Sequence, residues 1–169
     1  MTDHAATTAF EDFAATLEGR DREVFLGSVP FFLALVGGAD GSYDMQEMDA
    51  SAEVLLRTVS VLGADFRRSP EAETAFAAMR EWVNDPDKLE FHGRLMTLRD
   101  ILRDMPPALA DDYRAFVRDA CLRVANASGG WLRRINDDER AVLHRVAVAL
   151  EFAADDPLLR ALGEGRDRP

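Results

Sequence analysis

Apolar residues along this chain recur at three- and four-residue spacing. Met48, Ser51, Leu55, Val59 and Leu62 form one such set, and Phe76, Met79 and Val83 a second. Leu95, Leu98, Ile101, Leu102 and Met105 form a third, and Val142, Val146, Ala149 and Leu150 a fourth. That period lines one face of a helix, and the two-residue alternation of strands is nowhere sustained. The punctuation agrees. Ser69, Pro70 and Glu71 read as an N-cap with proline at the first helical position, "DPDK" at Asp85 to Lys88 opens another helix, and "MPPAL" at Met105 to Leu109 ends one helix and starts the next. The pattern predicts an all-α bundle of seven or eight helices, near residues 9–18, 21–37, 45–63, 70–84, 87–104, 108–127, 137–153 and 156–162. Pro30 either kinks the second of these or splits it ahead of "FFLALVGG".

No stretch has the character of a domain linker, so residues 1–169 read as one domain. A chain of this length buries roughly 70% of its unfolded surface and needs neither disulfide nor metal to hold a core. "VPFFLALV", Val29 to Val36, is far shorter than the roughly 20 residues of a membrane span. The start, "MTDHAATTAFEDFAATLEG", shows no basic and apolar leader, so a cytoplasmic location is expected. The single cysteine, Cys121, sits at an apolar helical position and reads as a small core residue.

Charge narrows the choice of partner. The chain carries a net −11, and residues 1–60 hold eleven acids against three arginines. That balance repels phosphate backbones, which disfavours nucleic acid and favours cations or basic protein surfaces.

Two stretches resemble one another, "VGGADGSYDMQEMD" from Val36 and "VANASGGWLRRINDDERA" from Val124. Each leaves an apolar segment through small residues and enters a carboxylate cluster that opens a new apolar segment. Residues 36–41 match 124–129 at an offset of 88, and after an insertion within "GWLRR", Tyr43, Asp44, Gln46 and Glu47 match Ile135, Asn136, Asp138 and Glu139 at an offset of 92. A helix, a glycine turn and a capped helix, occurring twice, predict a bundle with an internal pseudo-two-fold repeat. The halves span about 20–66 and 108–153, around central helices at about 69–105.

The spacing of Asp44 with Glu47, and of Asn136 with Glu139, satisfies the capping-box pattern, in which each side chain takes a backbone amide at the helix start. Capping leaves Asp40 unexplained. With Gly41 at the glycine of a calcium loop, Asp40, Tyr43, Asp44 and Glu47 fall on loop positions, but Val36 and Gly38 occupy the first two ligand positions and offer no side-chain oxygen. The second copy would place Arg133 at the glycine position, so an ordinary EF-hand pair is excluded. At about 100° per residue, Asp49 and Asp137 point some 200° away from Glu47 and Glu139.

The A-D-G, cap and Glu pattern, repeated about ninety residues apart in "ALVGGADGSYDMQEMDA" and "RVANASGGWLRRINDDERAVLHRVAVAL", resembles the TerB family of tellurite-resistance proteins over roughly residues 20–152. The resemblance implies an all-helical TerB-like fold in a cytoplasmic bacterial protein. It implies a non-enzymatic role in tellurite, chemical or phage stress, and a divalent cation, Ca2+ or Mg2+, at the acidic motifs. It also implies other Ter components as protein partners, among them a membrane protein. Carried over by residue, Asp40, Gly41, Asp44 and Glu47 match the first motif, while the second has Ser128 for the acid, Asn136 at the cap and Glu139 as the final acid. The metal candidates are therefore Asp40, Asp44, Glu47, Asn136 and Glu139, all oxygen ligands. Arg133 and Arg134 enter with the insertion and offer ion pairs to the same pocket in place of an ion. Trp131 beside them either folds onto the core or anchors a partner.

Other chemistry is sparse. His92 and His144 stand without His or Cys partners at metal spacing, and no nucleophile elbow, zinc-protease motif or phosphate loop is present. Two readings stay open: a cation-dependent interaction module, and a metal-free helical interaction module whose acids only cap helices.

Overall fold

In the computed structural model, residues 3–39, 45–85, 90–127 and 135–163 are described, and among them every regular element is a helix. There are ten, where the sequence pattern predicts seven or eight: α1 (Asp3–Thr16), α2 (Gly19–Leu26), α3 (Ser28–Gly37), α4 (Met45–Val61), α5 (Ala64–Arg68), α6 (Pro70–Asn84), α7 (Phe91–Asp104), α8 (Pro107–Ala127), α9 (Asp137–Ala149) and α10 (Pro157–Gly163).

The extra elements have identifiable causes. Pro30 has no amide to offer the carbonyl of Leu26, and its ring would clash there, so the predicted 21–37 helix divides at Gly27. Gly27 also sits where a Cβ would lie 2.8 Å from the Glu23 carbonyl oxygen and 3.1 Å from the Ala75 Cβ, so the junction can press against α6. The second extra helix, α5, follows Gly63, whose φ of 95° and ψ of 166° lie in a region essentially reserved for glycine. Gly63→Ala should cost about 1–3 kcal/mol from this backbone strain alone, measured as a lowered thermal midpoint. The added methyl would meet the Glu11 carboxylate, which can swing aside, so an unchanged midpoint would mean that the turn relaxes.

α3 is the axis of the molecule. All ten of its residues, "SVPFFLALVG", are buried, as expected of a helix that is apolar on every side. α2, α4, α6, α8 and α9 pack around it. α8 supplies the longest wall, burying Leu109, Tyr113, Phe116, Val117, Cys121 and Val124 at helical spacing. α4 packs on α8, and α9 packs on α3. α6 begins as its sequence predicts, with the Ser69 hydroxyl accepting from the Ala72 amide at 3.0 Å ahead of Pro70.

One stripe differs from the sequence expectation. On α4 the inward face is Glu47, Ser51, Val54 and Thr58, whereas Met48 and Val59 are exposed. The Thr58 hydroxyl on this face donates to the Val54 carbonyl at 2.9 Å.

Candidate functional site

Both motif helices bury the glutamate of their first turn. α3 closes on Gly38, whose amide donates to the Ala34 carbonyl at 2.9 Å, and the chain then enters residues 40–44. α4 starts at Met45, and Glu47 in its first turn is 2% exposed. In the second half, α8 runs to Ala127, and α9 starts at Asp137 with Asn136 as its N-cap. The Asn136 side-chain oxygen accepts from the Glu139 amide at 2.8 Å, and the Glu139 carboxylate accepts from the Asn136 amide at 2.8 Å. That reciprocal pair gives buried Glu139, also 2% exposed, a partner at the positive end of the helix dipole. Asp49, Asp137 and Asp138 are exposed, as the helical angles require for the first two.

Of the residues singled out from the sequence, Glu47, Asn136 and Glu139 are therefore placed at helix starts. Asp40, Asp44, Trp131, Arg133 and Arg134 lie outside the described residues. Among the described residues no group of three or more His, Cys, Asp or Glu side chains is arranged to hold a metal ion. His92 and His144 are exposed. Cys121 is buried, and burial pushes its thiol up to about 12, which suits a packing residue and not a nucleophile.

Two features beside the motifs were not foreseen. A groove of about 700 Å3 runs between α4 and α8, lined by Gln46, Asp49, Glu53, Asp119, Arg123 and Asn126 among others. Its charges largely pair across the groove: Arg123 reaches Glu53 at 3.1 Å and Arg57 reaches Asp119 at 3.9 Å. Surface pairs of this kind contribute little stability, about 0–1 kcal/mol, so they serve mainly to neutralise the walls. The sequence signal was present in Asp49 with Glu53 and Asp119 with Arg123, each four residues apart, but only tertiary packing brings the two pairs together. A smaller cavity of about 220 Å3 lies against the end of α3, between Leu35, Gly38, Trp82, Phe91, Val142 and Arg145. The Arg145 guanidinium stands 6.0 Å from the Phe91 ring, and Arg94 stacks on Trp82 at 4.9 Å.

No family model, curated protein or solved structure matches this chain.

Proposed function

We propose that this chain is a TerB-like stress-response module that performs no chemistry of its own and acts through protein partners. In this reading a divalent cation, Ca2+ or Mg2+, is held by Asp40, Asp44 and Glu47 of the first motif, with Asn136 and Glu139 contributing from the second. The observation that carries it is the matched burial of Glu47 and Glu139. In each motif helix the glutamate of the first turn is withdrawn from solvent, while Asp49 in α4 and Asp137 and Asp138 in α9 are exposed. Burying a carboxylate is costly unless it is partnered; Glu139 has the Asn136 amide and Glu47 has an interaction of its own, so in this reading the cation joins carboxylates already held in place at the two helix starts.

The packing supports a repeat within a single domain. α3 lies on α8, α4 crosses to α8, and α9 crosses to α3, which is the exchange expected if each helix–loop–helix half is related to the other by a pseudo-two-fold axis. Among the described residues no helix is long and apolar enough to cross a membrane.

Calorimetric titration with Ca2+, Mg2+ and Mn2+ tests the cation. Binding heat and a rise in melting temperature are expected, with about 2.7 kcal/mol of stabilisation at a hundredfold excess over Kd. Asp40→Ala with Glu47→Ala should remove both effects while leaving the circular dichroism helical. Absence of heat and of any melting shift in the unaltered chain would sink this reading.

A second reading is favoured by one specific observation, the complete capping box at Asn136 and Glu139. There the acids only start helices, Arg133 and Arg134 balance the first motif, and the module binds partners without an ion. The same titration separates the two.

A further inference from the structure

α4 is amphipathic in the reverse sense. Its inward face carries Glu47, Ser51 and Thr58 around Val54, while its outward face carries Met45, Met48, Ala52, Leu56 and Val59. Met45 is 71% exposed, Met48 50%, Leu56 68% and Val59 37%, four of the five large exposed apolar side chains among the described residues. At about 100° per residue these five positions fill an arc of about 80°, an unbroken apolar stripe along the helix. Scattered surface apolar residues need no explanation, but a contiguous stripe marks a surface that is covered.

The spacing fits a second copy of the same helix. Relative to Ala52 the stripe falls at −7, −4, 0, +4 and +7, the same read in either direction. A two-fold interface requires this self-complementarity, because each contact of one copy recurs with the roles exchanged. We infer that the chain forms a symmetric dimer in which α4 pairs antiparallel with α4 of a second copy about a dyad at Ala52. Met45 then meets Val59 of the other copy, Met48 meets Leu56, and Ala52 meets its own counterpart, where the small side chain permits close approach of the two helices. The rim does not oppose this arrangement: Glu53 is paired with Arg123 and Arg57 with Asp119, leaving Asp49, among the described residues, as the charge beside the seam. The inference rests on α4 and is independent of the cation.

A single helix seam lies at the small end of specific interfaces, so the dissociation constant should be on the order of micromolar. The chain's net −11 repels a second copy at long range, and added salt should therefore tighten the dimer, the opposite of its effect on a basic partner. Sedimentation velocity from about 1 to about 200 μM should show monomer giving way to dimer. Leu56→Glu should hold the chain monomeric throughout, with thermal melting unchanged at concentrations where the unaltered chain is itself monomeric, because Leu56 is exposed there. Ala52→Cys in a Cys121→Ser background should cross-link two copies on mild oxidation, as only a dyad near this residue brings the two sulfurs together. Three outcomes would overturn the inference: a monomer at every concentration, leaving the stripe to a different partner; a dimer that survives Leu56→Glu; or a dimer that Ala52→Cys fails to cross-link.

Discussion

Raising the pH from 8 to 11 is expected to cost the folded chain about 3 kcal/mol through Cys121 alone, with Tyr113 adding to the loss. Both groups are fully buried and neutral when protonated. Desolvation pushes the Cys121 thiol from an ordinary 9.0 up to about 12. Burial also drives the Tyr113 hydroxyl upward from 10.0; its 2.6 Å bond to the Ser28 hydroxyl opposes the rise, and nearby Cys121 adds to it. The folded chain thus keeps protons that the unfolded chain releases. The corresponding stability is complete below about pH 9 and is lost progressively as the pH climbs toward 12. Lysine titration scarcely interferes, since nineteen of the twenty basic residues are arginines, which keep their charge throughout this range. Denaturant midpoints measured at pH 8, 10 and 11 should fall steeply, and Cys121→Ala should flatten the part of the slope above pH 9. A midpoint that holds constant to pH 11 would show that the two groups reach water in the folded state.

Much of this architecture is written in local chemistry, which is why it can be read from the sequence. Ser69 with Pro70 starts α6, Asn136 with Glu139 starts α9, and Pro30 forces a break that the structure locates at Gly27. The 200° separations that turn Asp49 and Asp137 outward follow from helix geometry alone. What escaped depends on distant partners. α5 exists because Gly63 adopts a conformation that spacing does not reveal. On α4 apolar spacing coincides with burial only in part: Ser51 and Leu62 are buried and Leu55 half-buried, but Met48 and Val59 are exposed, because the inward face of the helix is Glu47, Ser51, Val54 and Thr58. The walls of the α4–α8 groove pair Glu53 with Arg123 and Arg57 with Asp119, residues far apart in the chain. The candidate site is legible in proportion to its local content: the capping pair is visible in four residues, but convergence of the two motifs would require a tertiary contact that no repeat can state.

Phe25→Ala should be the most damaging single substitution considered, costing about 3–5 kcal/mol from lost burial and the cavity left behind. The Phe25 ring has no solvent exposure and is shared by four helices. It meets Phe13 of α1 edge-on at 5.7 Å, Phe66 of α5 edge-on at 4.7 Å, and Tyr113 of α8 stacked at 5.4 Å. α5 also packs against α4 and α6, so removing the ring takes away its aromatic contact with α2 and opens a void beside it. Against a total stability of about 5–15 kcal/mol, a loss of this size should leave the domain barely folded at 37 °C. Phe25→Leu, which refills most of the volume, should retain the greater part of the stability, and the two denaturation midpoints together separate cavity cost from aromatic pairing. The substitution should also act on the alkaline transition. Water admitted beside Tyr113 lowers the penalty on its ionised form, so Phe25→Ala should show a shallower loss of stability above pH 10 than the unaltered chain. Combining it with Tyr113→Phe should be non-additive by more than about 0.5 kcal/mol, as expected for rings in direct contact. A loss below about 1 kcal/mol for Phe25→Ala, or strict additivity with Tyr113→Phe, would mean that the surrounding rings collapse into the space and that the four helices are held together elsewhere.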